Sequence, residues 1–459
     1  MKNIDTVFQR FADWESCSAL YWRGKVLTYG DFLGRVEQWV DELSSMGVKS
    51  GSVCALYGDY SPGTCSLFFA LMKLRAIAVP LTPAVDAESD RLIEIAGVEF
   101  LIRFDENDQW QMESSFSYNI KPLIKKFVDL SHPGLVVFTS GSTGAPKGIL
   151  HDCERVMGKF INKRKGFRTI LFLLMDHFGG YNSMLGALAY GGTAICPTKR
   201  LPKDVCELIA DSQATLLPTT PTFLNLLLGS GVWRDYDLSS ISLITYGTEV
   251  MNETILKKMK TAFPKATHKQ TYGLSELGVL RSQSRDNHTT WVKVGGSGFA
   301  VKVVEGLLWI KADSNMVGYL NSPNPFDVDG WMCTQDQVEQ DGDYIRFLGR
   351  QSEIISVGGQ KVFPAEVESV LLEADNVNGA SVMGQPNPLL GQTIVASIAV
   401  FEEEKHEELS NRLRDFCSSR LARHKIPMRF IISDLKDQQN ARFKKIRRIK
   451  EKPPSQSGE

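Results

Sequence analysis

Neither sign of charge is in excess in this sequence: 52 Lys and Arg stand against 53 Asp and Glu, a formal net charge of −1. Nucleic acid or an anionic membrane would have to be held by a local patch, because the chain has no overall field to hold them. Long apolar runs are missing too. The stretch at 67–81 is interrupted by Lys73 and Arg75, and 170–175 is too short to span a bilayer. The opening MKNIDTVFQRF has no apolar core of a secretory signal. The cysteines, at 17, 54, 65, 153, 196, 206, 333 and 417, form no CxxC pair and no metal-like cluster. A disulfide scaffold and a zinc site are both disfavoured, and a cytoplasmic location is expected. No GxGxxG follows the first strand, so nothing supports a dinucleotide-dependent redox enzyme.

What is present is an ordinary globular composition, 43% apolar and 23% charged over 459 residues, enough for two or three domains. From about 50 to 280, short β-rich runs alternate with amphipathic stretches. Strands are expected at 52–57, 76–80, 135–139, 169–174, 193–197, 242–246 and 268–272, and helices at 63–74, 181–190, 205–212 and 253–263. That rhythm predicts an α/β fold with parallel sheet and covering helices. From 295 to 348 short strands separated by Gly, Asp and Asn predict an antiparallel β subdomain. After Arg350 comes a smaller α+β segment. The expected organisation is a large N-terminal domain over 1–350, of stacked α/β subdomains plus a β subdomain, and a small mobile C-terminal α+β domain over 351–459.

The stretch with the most chemistry is LVVFTSGSTGAPKG at 135–148. An apolar strand runs into Thr139, Ser140, Gly141, Ser142, Thr143 and Gly144, with Lys147 behind them. Glycines let backbone N–H groups converge, and hydroxyls add donors, so the loop suits an anion. It is not a Walker A loop, since no Gly-Lys-Ser/Thr follows at the required spacing.

This stretch resembles the phosphate loop of the AMP-forming adenylating superfamily: acyl-CoA synthetases, aryl- and coumarate-CoA ligases, stand-alone adenylation domains and luciferases. Other blocks resemble that superfamily in the same order. TYGLSE at 271–276 is similar to its YGxTE block, DGWMCTQD at 329–336 to DGWxxTGD, and FLGRQSEII at 347–355 to the GRxxDxI hinge. GGQKVFPAEVE at 358–368 is similar to the glycine hairpin and following helix, and RHKIPMRF at 423–430 to YKVPxxF.

The resemblance implies that a carboxylic acid is joined to AMP and then passed to a thiol, with ATP, Mg²⁺ and CoA as reactants. The first step brings two anions together and needs cations and fixed dipoles. By resemblance, residues 139–144 and Lys147 handle the outer phosphates of ATP and Ser275 contacts phosphate. Glu276 holds Mg²⁺, a hard cation that prefers carboxylate oxygen. Asp336 accepts from the ribose hydroxyls and Arg350 contacts the ribose. Tyr272, followed by Gly273, stacks on adenine, with Gly247, Thr248 and Glu249 lining the other side.

His177 falls where coumarate-type ligases place a histidine at the mouth of the acyl pocket. Phe178 occupies the position where amino-acid-activating domains carry an aspartate, and Asp176 is out of register by two. An α-amino acid is thus disfavoured. Small residues Gly179 and Ser183 leave room on one wall, while Thr271, often glycine in the superfamily, narrows the cavity toward a short, medium or compact aryl acid. Gly358 and Gly359 are expected to flank the thiol arm once the C-terminal domain rotates. The superfamily's terminal LPxTxxGKIxR block has a departure here, LKDQQNARFKKIRR at 435–448. Lys444 is the preferred counterpart of its catalytic lysine, with Lys445 and Arg442 as alternatives. The thiol is expected to be that of CoA, with the phosphopantetheine of a separate acyl carrier protein as the alternative. A nucleotide-binding pseudoenzyme or regulatory partner is the reading from another class, motivated by the altered terminal block.

Overall fold

The computed structural model describes residues 3–114, 120–140, 145–286, 289–440 and 445–447, with the backbone alone at Ser140 and Lys436. Among them the chain forms two seven-stranded sheets, a six-stranded antiparallel sheet and a five-stranded sheet of its own in the C-terminal part. One seven-stranded sheet runs, in spatial order, Thr267–Gln270, Leu243–Tyr246, Leu216–Thr219, Arg168–Ile170, Thr193–Ile195 and Ser18–Trp22, all parallel. Lys25–Thr28 closes it as an antiparallel hairpin edge. The other has Gly134–Ser140, Ile77–Leu81, Val53–Tyr57 and Phe100–Phe104 in parallel at its centre.

Parallel strands buried on both faces need continuous apolar runs, and IAVPL at Ile77–Leu81 is buried at every position. Alternation then sorts side chains between layers. Cys54 and Leu56 point to the core that the two sheets share, whereas Val53 and Ala55 point to a second core on the outer face. The helix Pro62–Lys73 lies in the shared core and is buried almost all round, as its sequence PGTCSLFFALMK demands. Its start is fixed by Ser61, which accepts from the Thr64 N–H, and by proline in the first turn.

The expected strand at 135–139 is present but does not lead into a crossover helix. It turns back on itself and pairs antiparallel with Pro146–Asp152, so that Thr139 faces Lys147. The helix expected from 181 begins at Phe178, because the His177 ring caps it: its Nδ1 accepts from the Gly179 N–H at 3.1 Å. Imidazole is an uncommon cap, which hides this start from the sequence.

The antiparallel sheet ends in the strand Tyr344–Arg350. A single turn, Gln351–Glu353, carries the chain into Ile355–Val357 of the C-terminal sheet. Asn225 Nδ2 donates to Asn378 O at 2.7 Å, and Thr254 Oγ1 to Glu373 at 3.3 Å, so the helix Pro221–Ser230 and its neighbour rest against the C-terminal module. No helix among the described residues is long and apolar enough to cross a membrane.

Candidate active site

A cleft of about 910 Å³ separates the large module from the C-terminal one. It opens at the C-terminal ends of the parallel strands Leu243–Tyr246 and Thr267–Gln270, where α/β folds place their ligands. Thr248, Glu249, Thr271, Tyr272 and Gly273 line it from these loops. Asp336 and Arg350 line it from the antiparallel sheet, and Glu368, Lys445 and Arg447 from the small module.

The loops are tightly fitted. A Cβ on Gly247 would sit 2.6 Å from Thr271 Oγ1 and 2.7 Å from its carbonyl oxygen, so only glycine passes there. Thr248, next along, has φ +71, a backbone conformation that a β-branched residue adopts only under constraint. Glu249 is already engaged: one carboxylate oxygen accepts from Thr222 Oγ1 at 2.7 Å, and the other accepts the Lys445 N–H across the cleft.

Asp336 gathers the polar side chains on the large module's wall of the cleft. It is 9% exposed, accepts the Tyr272 hydroxyl at 2.6 Å and the Arg350 Nε–H at 3.2 Å. Burial pushes its carboxyl above the usual range, against the pull of Arg350 and Tyr272. One face of the Tyr272 ring is stacked on Phe347, with centroids 4.6 Å apart and planes 15° apart. The loop position expected to hold adenine is therefore backed by a second aromatic that sequence reading did not single out.

A second group gathers around Tyr319, which also went unnoticed in the sequence. Its hydroxyl donates to Glu276 Oε1 at 2.7 Å, and Lys147 Nζ stands 5.1 Å from its ring centre. The strand Gly318–Tyr319 pairs with Ile149 and Leu150, which brings the lysine of the hydroxyl-rich hairpin beside Glu276. Of that hairpin, Gly141, Ser142, Thr143 and Gly144 lie outside the described residues, as do Lys444 and Arg442.

Buried His151 ties the hairpin to the helix Phe178–Ala189. Its Nε2–H donates to the Ser275 carbonyl at 2.6 Å, and its ring lies 4.6 Å from that of Phe178. Burial pulls this histidine down to about 4, so it is neutral. Phe178 and Gly179 are buried, and Ser183 Oγ donates to Gly179 O at 2.8 Å. Because His177 Nδ1 accepts the cap hydrogen bond, its proton is on Nε2. Asp176 accepts from Thr82 Oγ1 at 2.9 Å.

The terminal segment enters the cleft. Lys445 Nζ donates to Glu368 Oε2 at 2.8 Å, and Arg447 Nε to Glu368 Oε1 at 3.1 Å. Burial works to raise Glu368, but the two cations outweigh it and hold the carboxyl at about 2. Lys445 is thus committed to a carboxylate of its own module. Gly358 and Gly359 form the tight turn between Ile355–Val357 and Gln360–Val362, with φ +56 and +81, and line no part of the cleft.

No group of three or more His, Cys, Asp or Glu among the described residues forms a metal cage. Glu276, a lone carboxylate with one oxygen bonded to Tyr319, fits a Mg²⁺ that takes most of its ligands from substrate phosphate and water.

The sequence profile of a family described as AMP-binding enzyme matches residues 7–320, and that of the AMP-binding enzyme C-terminal domain matches 366–458. The chain is 25% identical over 465 residues to an indoleacetate–CoA ligase of Aromatoleum aromaticum, covering 89% of each chain. It is 25% identical over 454 residues to a long-chain-fatty-acid–CoA ligase of Mycobacterium tuberculosis, again covering 89% of each. In fold it is similar to the anthranilate CoA ligase AuaEII in complex with anthranoyl-AMP, with a TM-score of 0.80, 19% identity and coverage of 94% and 93%.

Proposed function

The chain belongs to the AMP-binding enzyme family, and on that premise we propose that it activates a small-molecule carboxylic acid with ATP and transfers the acyl group to the thiol of CoA. A carboxylate oxygen of the acid attacks the α-phosphorus, the bond to the β-phosphate oxygen breaks, and pyrophosphate leaves. The thiol sulfur then attacks the acyl carbon of the mixed anhydride and AMP departs, the thiol proton going to solvent or a nearby base.

The observation that carries this reading is a pair of polar groups joined by the segment 272–276. Asp336, Tyr272 and Arg350 form one, and Glu276, Tyr319 and Lys147 the other. Asp336 is the acceptor for the ribose hydroxyls, and Arg350, pointing along the same carboxylate, orients it. Tyr272 and the loop of Gly247, Thr248 and Glu249 hold the adenine. Lys147, with residues 139–144 and the Ser275–Glu276 segment, takes the phosphates. The chemistry that Mg²⁺ supplies when bound is neutralisation of phosphate charge, and Glu276 is the carboxylate that would hold it. His177, whose Nε2–H faces away from its own helix cap, donates to the carboxylate of the acid. Gly179, Ser183, Phe178 and Thr271 shape the acyl pocket.

Lys445 is held by Glu368, which supports Lys444 as the lysine that bridges acid and α-phosphate. The turn Gln351–Glu353 is the proposed hinge, so that domains over 1–350 and 351–459 present different groups to the two half-reactions, with Gly358 and Gly359 reaching the thiol channel in the second. A cytoplasmic setting and a separate carrier protein as alternative acceptor belong to the same reading.

Acid-dependent exchange of radiolabelled pyrophosphate into ATP tests it directly. Exchange with at least one member of a carboxylic-acid panel, with the acyl-AMP seen by mass spectrometry, is the expected result. ATP binding without exchange on any acid makes the protein a nucleotide-binding partner and not an enzyme.

A further inference from the structure

The helix Phe178–Ala189 has behind it a group of cations that the proposed chemistry does not use. We propose that Lys159, Arg164, Lys269 and Arg281 bind a second carboxylate on the acid, so that the protein selects dicarboxylic acids over monoacids of matching length.

Lys159 follows the helix Cys153–Gly158. Its Nζ donates to Asn182 Oδ1 at 2.8 Å and to the Val279 carbonyl at 2.6 Å. Asn182 lies on the helix that His177 caps, one residue before Ser183. Val279 lies on the short strand that follows Glu276, and Gly278 beside it packs on the Phe178 ring. The ammonium therefore joins the two walls that flank Phe178. Both acceptors are neutral, and beyond them the ammonium has the Phe160 ring at 5.6 Å, so of its three donors one is not taken by an oxygen.

Three further cations lie close enough for their charges to act on Lys159. The Tyr190 hydroxyl donates to the Lys159 carbonyl at 3.3 Å, and the Arg164 guanidinium stands 6.0 Å from the centre of the Tyr190 ring. Arg281 is two residues beyond Val279. Ser282, next to it, donates through Oγ to the carbonyl of Gln270, whose neighbour is Lys269. Buried Arg10 closes the back and is bonded to the carbonyls of Phe160 at 3.0 Å and Ala189 at 3.4 Å. Among the described residues, none of these five cations forms an ion pair with a carboxylate.

Gathered charge of one sign that is partly withdrawn from water is costly, and proteins ordinarily pair it. Burial, reinforced by the charges of Arg164, Arg281 and Lys269, brings Lys159 down to about 7. An anion would offset the strain. Through Asn182, Lys159 holds the helix that carries Gly179 and Ser183 and is capped by His177, the residues proposed for the acid. The anion that this helix would bring to Lys159 is one carried by the acid.

The inference rests on the adenylation reading, and pyrophosphate exchange without CoA tests the two separately. Succinate, glutarate, adipate and phthalate are compared with butyrate, valerate, hexanoate and benzoate. The expected result is a kcat/KM about tenfold or more higher for at least one diacid than for its matched monoacid. Lys159→Met lowers that ratio about tenfold. Because Lys159 is partly buried, Arg164→Gln, at an exposed position, is measured in parallel and raises KM for the diacid about threefold relative to the monoacid.

Exchange on monoacids only, or ratios unmoved by both variants, overturns the inference and leaves the adenylation reading standing. Exchange on no acid of either kind removes both. In the transfer step, a Lys159→Met defect seen with CoA but not with dephospho-CoA assigns the cations to the coenzyme's phosphate and overturns the proposal as well.

Discussion

Two buried carboxylates face each other across the same cleft and have been treated in opposite ways. Glu368, 3% exposed, sits between Lys445 and Arg447 and is held at about 2. Asp336, 9% exposed, shares a single half-exposed guanidinium and a phenol, and its carboxyl is raised. Burial penalises both charges, and what differs is the number of opposite charges brought to meet them. Glu368 is fully compensated from within, which makes it a clamp for the terminal segment. Asp336 is under-compensated, and with two donors on its two oxygens it keeps acceptor capacity for a further one. The same contrast extends to cations: Lys445 has its carboxylate, whereas Lys159 has neutral oxygens.

The comparison breaks most visibly at the clamp. Glu368→Gln leaves two cations facing a neutral amide, and removing one partner of a buried charge cluster costs about 3–5 kcal/mol. The lower part of that range is expected, because Lys445 and Arg447 are each about a quarter exposed. A fall in the urea midpoint measures it. The pH dependence has a definite sign. Glu368 binds its proton less readily folded than unfolded, so its stabilisation is complete above its ordinary value of 4.5 and is lost as the pH falls toward about 2. The variant should lack that acid limb, and an unchanged limb would mean that the cations do not compensate Glu368.

Asp336→Asn should do the reverse. Its raised carboxyl means that the charged form is carried at a cost, so the amide is expected to leave the urea midpoint unchanged or slightly higher. Exchange activity should drop by about a hundredfold or more, the scale seen when one preorganised polar contact to a reacting ligand is lost. A loss of stability comparable to that of Glu368→Gln would make Asp336 another structural clamp.

Much of this contrast is legible in the sequence. Motif order singles out Asp336, Tyr272 and Arg350, and the structure brings all three together. What stayed hidden depends on pairing across long stretches of chain. Tyr319 meets Glu276 because the strand Gly318–Tyr319 pairs with Ile149 and Leu150, about 170 residues earlier by register. Glu368 was read as part of a helix motif, with no sign that Lys445 and Arg447 would close on it. Lys159 looks in the sequence like any lysine at the end of a helix. Its neighbours Arg164, Lys269 and Arg281 come from separate layers of the fold, and no local pattern announces their meeting. The hairpin at Thr139–Lys147 was read as strand and loop, but its return strand was not, because PKGILHD carries no alternation strong enough to mark an edge.

The smallest effect comes from a group that neither charge nor ligand compensates. His151 is fully buried, donates to the Ser275 carbonyl and is pulled from 6.5 down to about 4. A folded-state value below the unfolded one means that the unfolded chain binds the extra proton first. Stability is therefore complete above about pH 6.5 and falls as the pH drops toward 4. This window lies above that of Glu368, so the two limbs separate on one urea–pH surface. His151→Gln, which can still donate to a carbonyl, should flatten the upper limb and leave the lower one. If the upper limb survives the substitution, a histidine elsewhere carries it, and the link from the Ser275 carbonyl to the Phe178 ring is packing without an electrostatic cost.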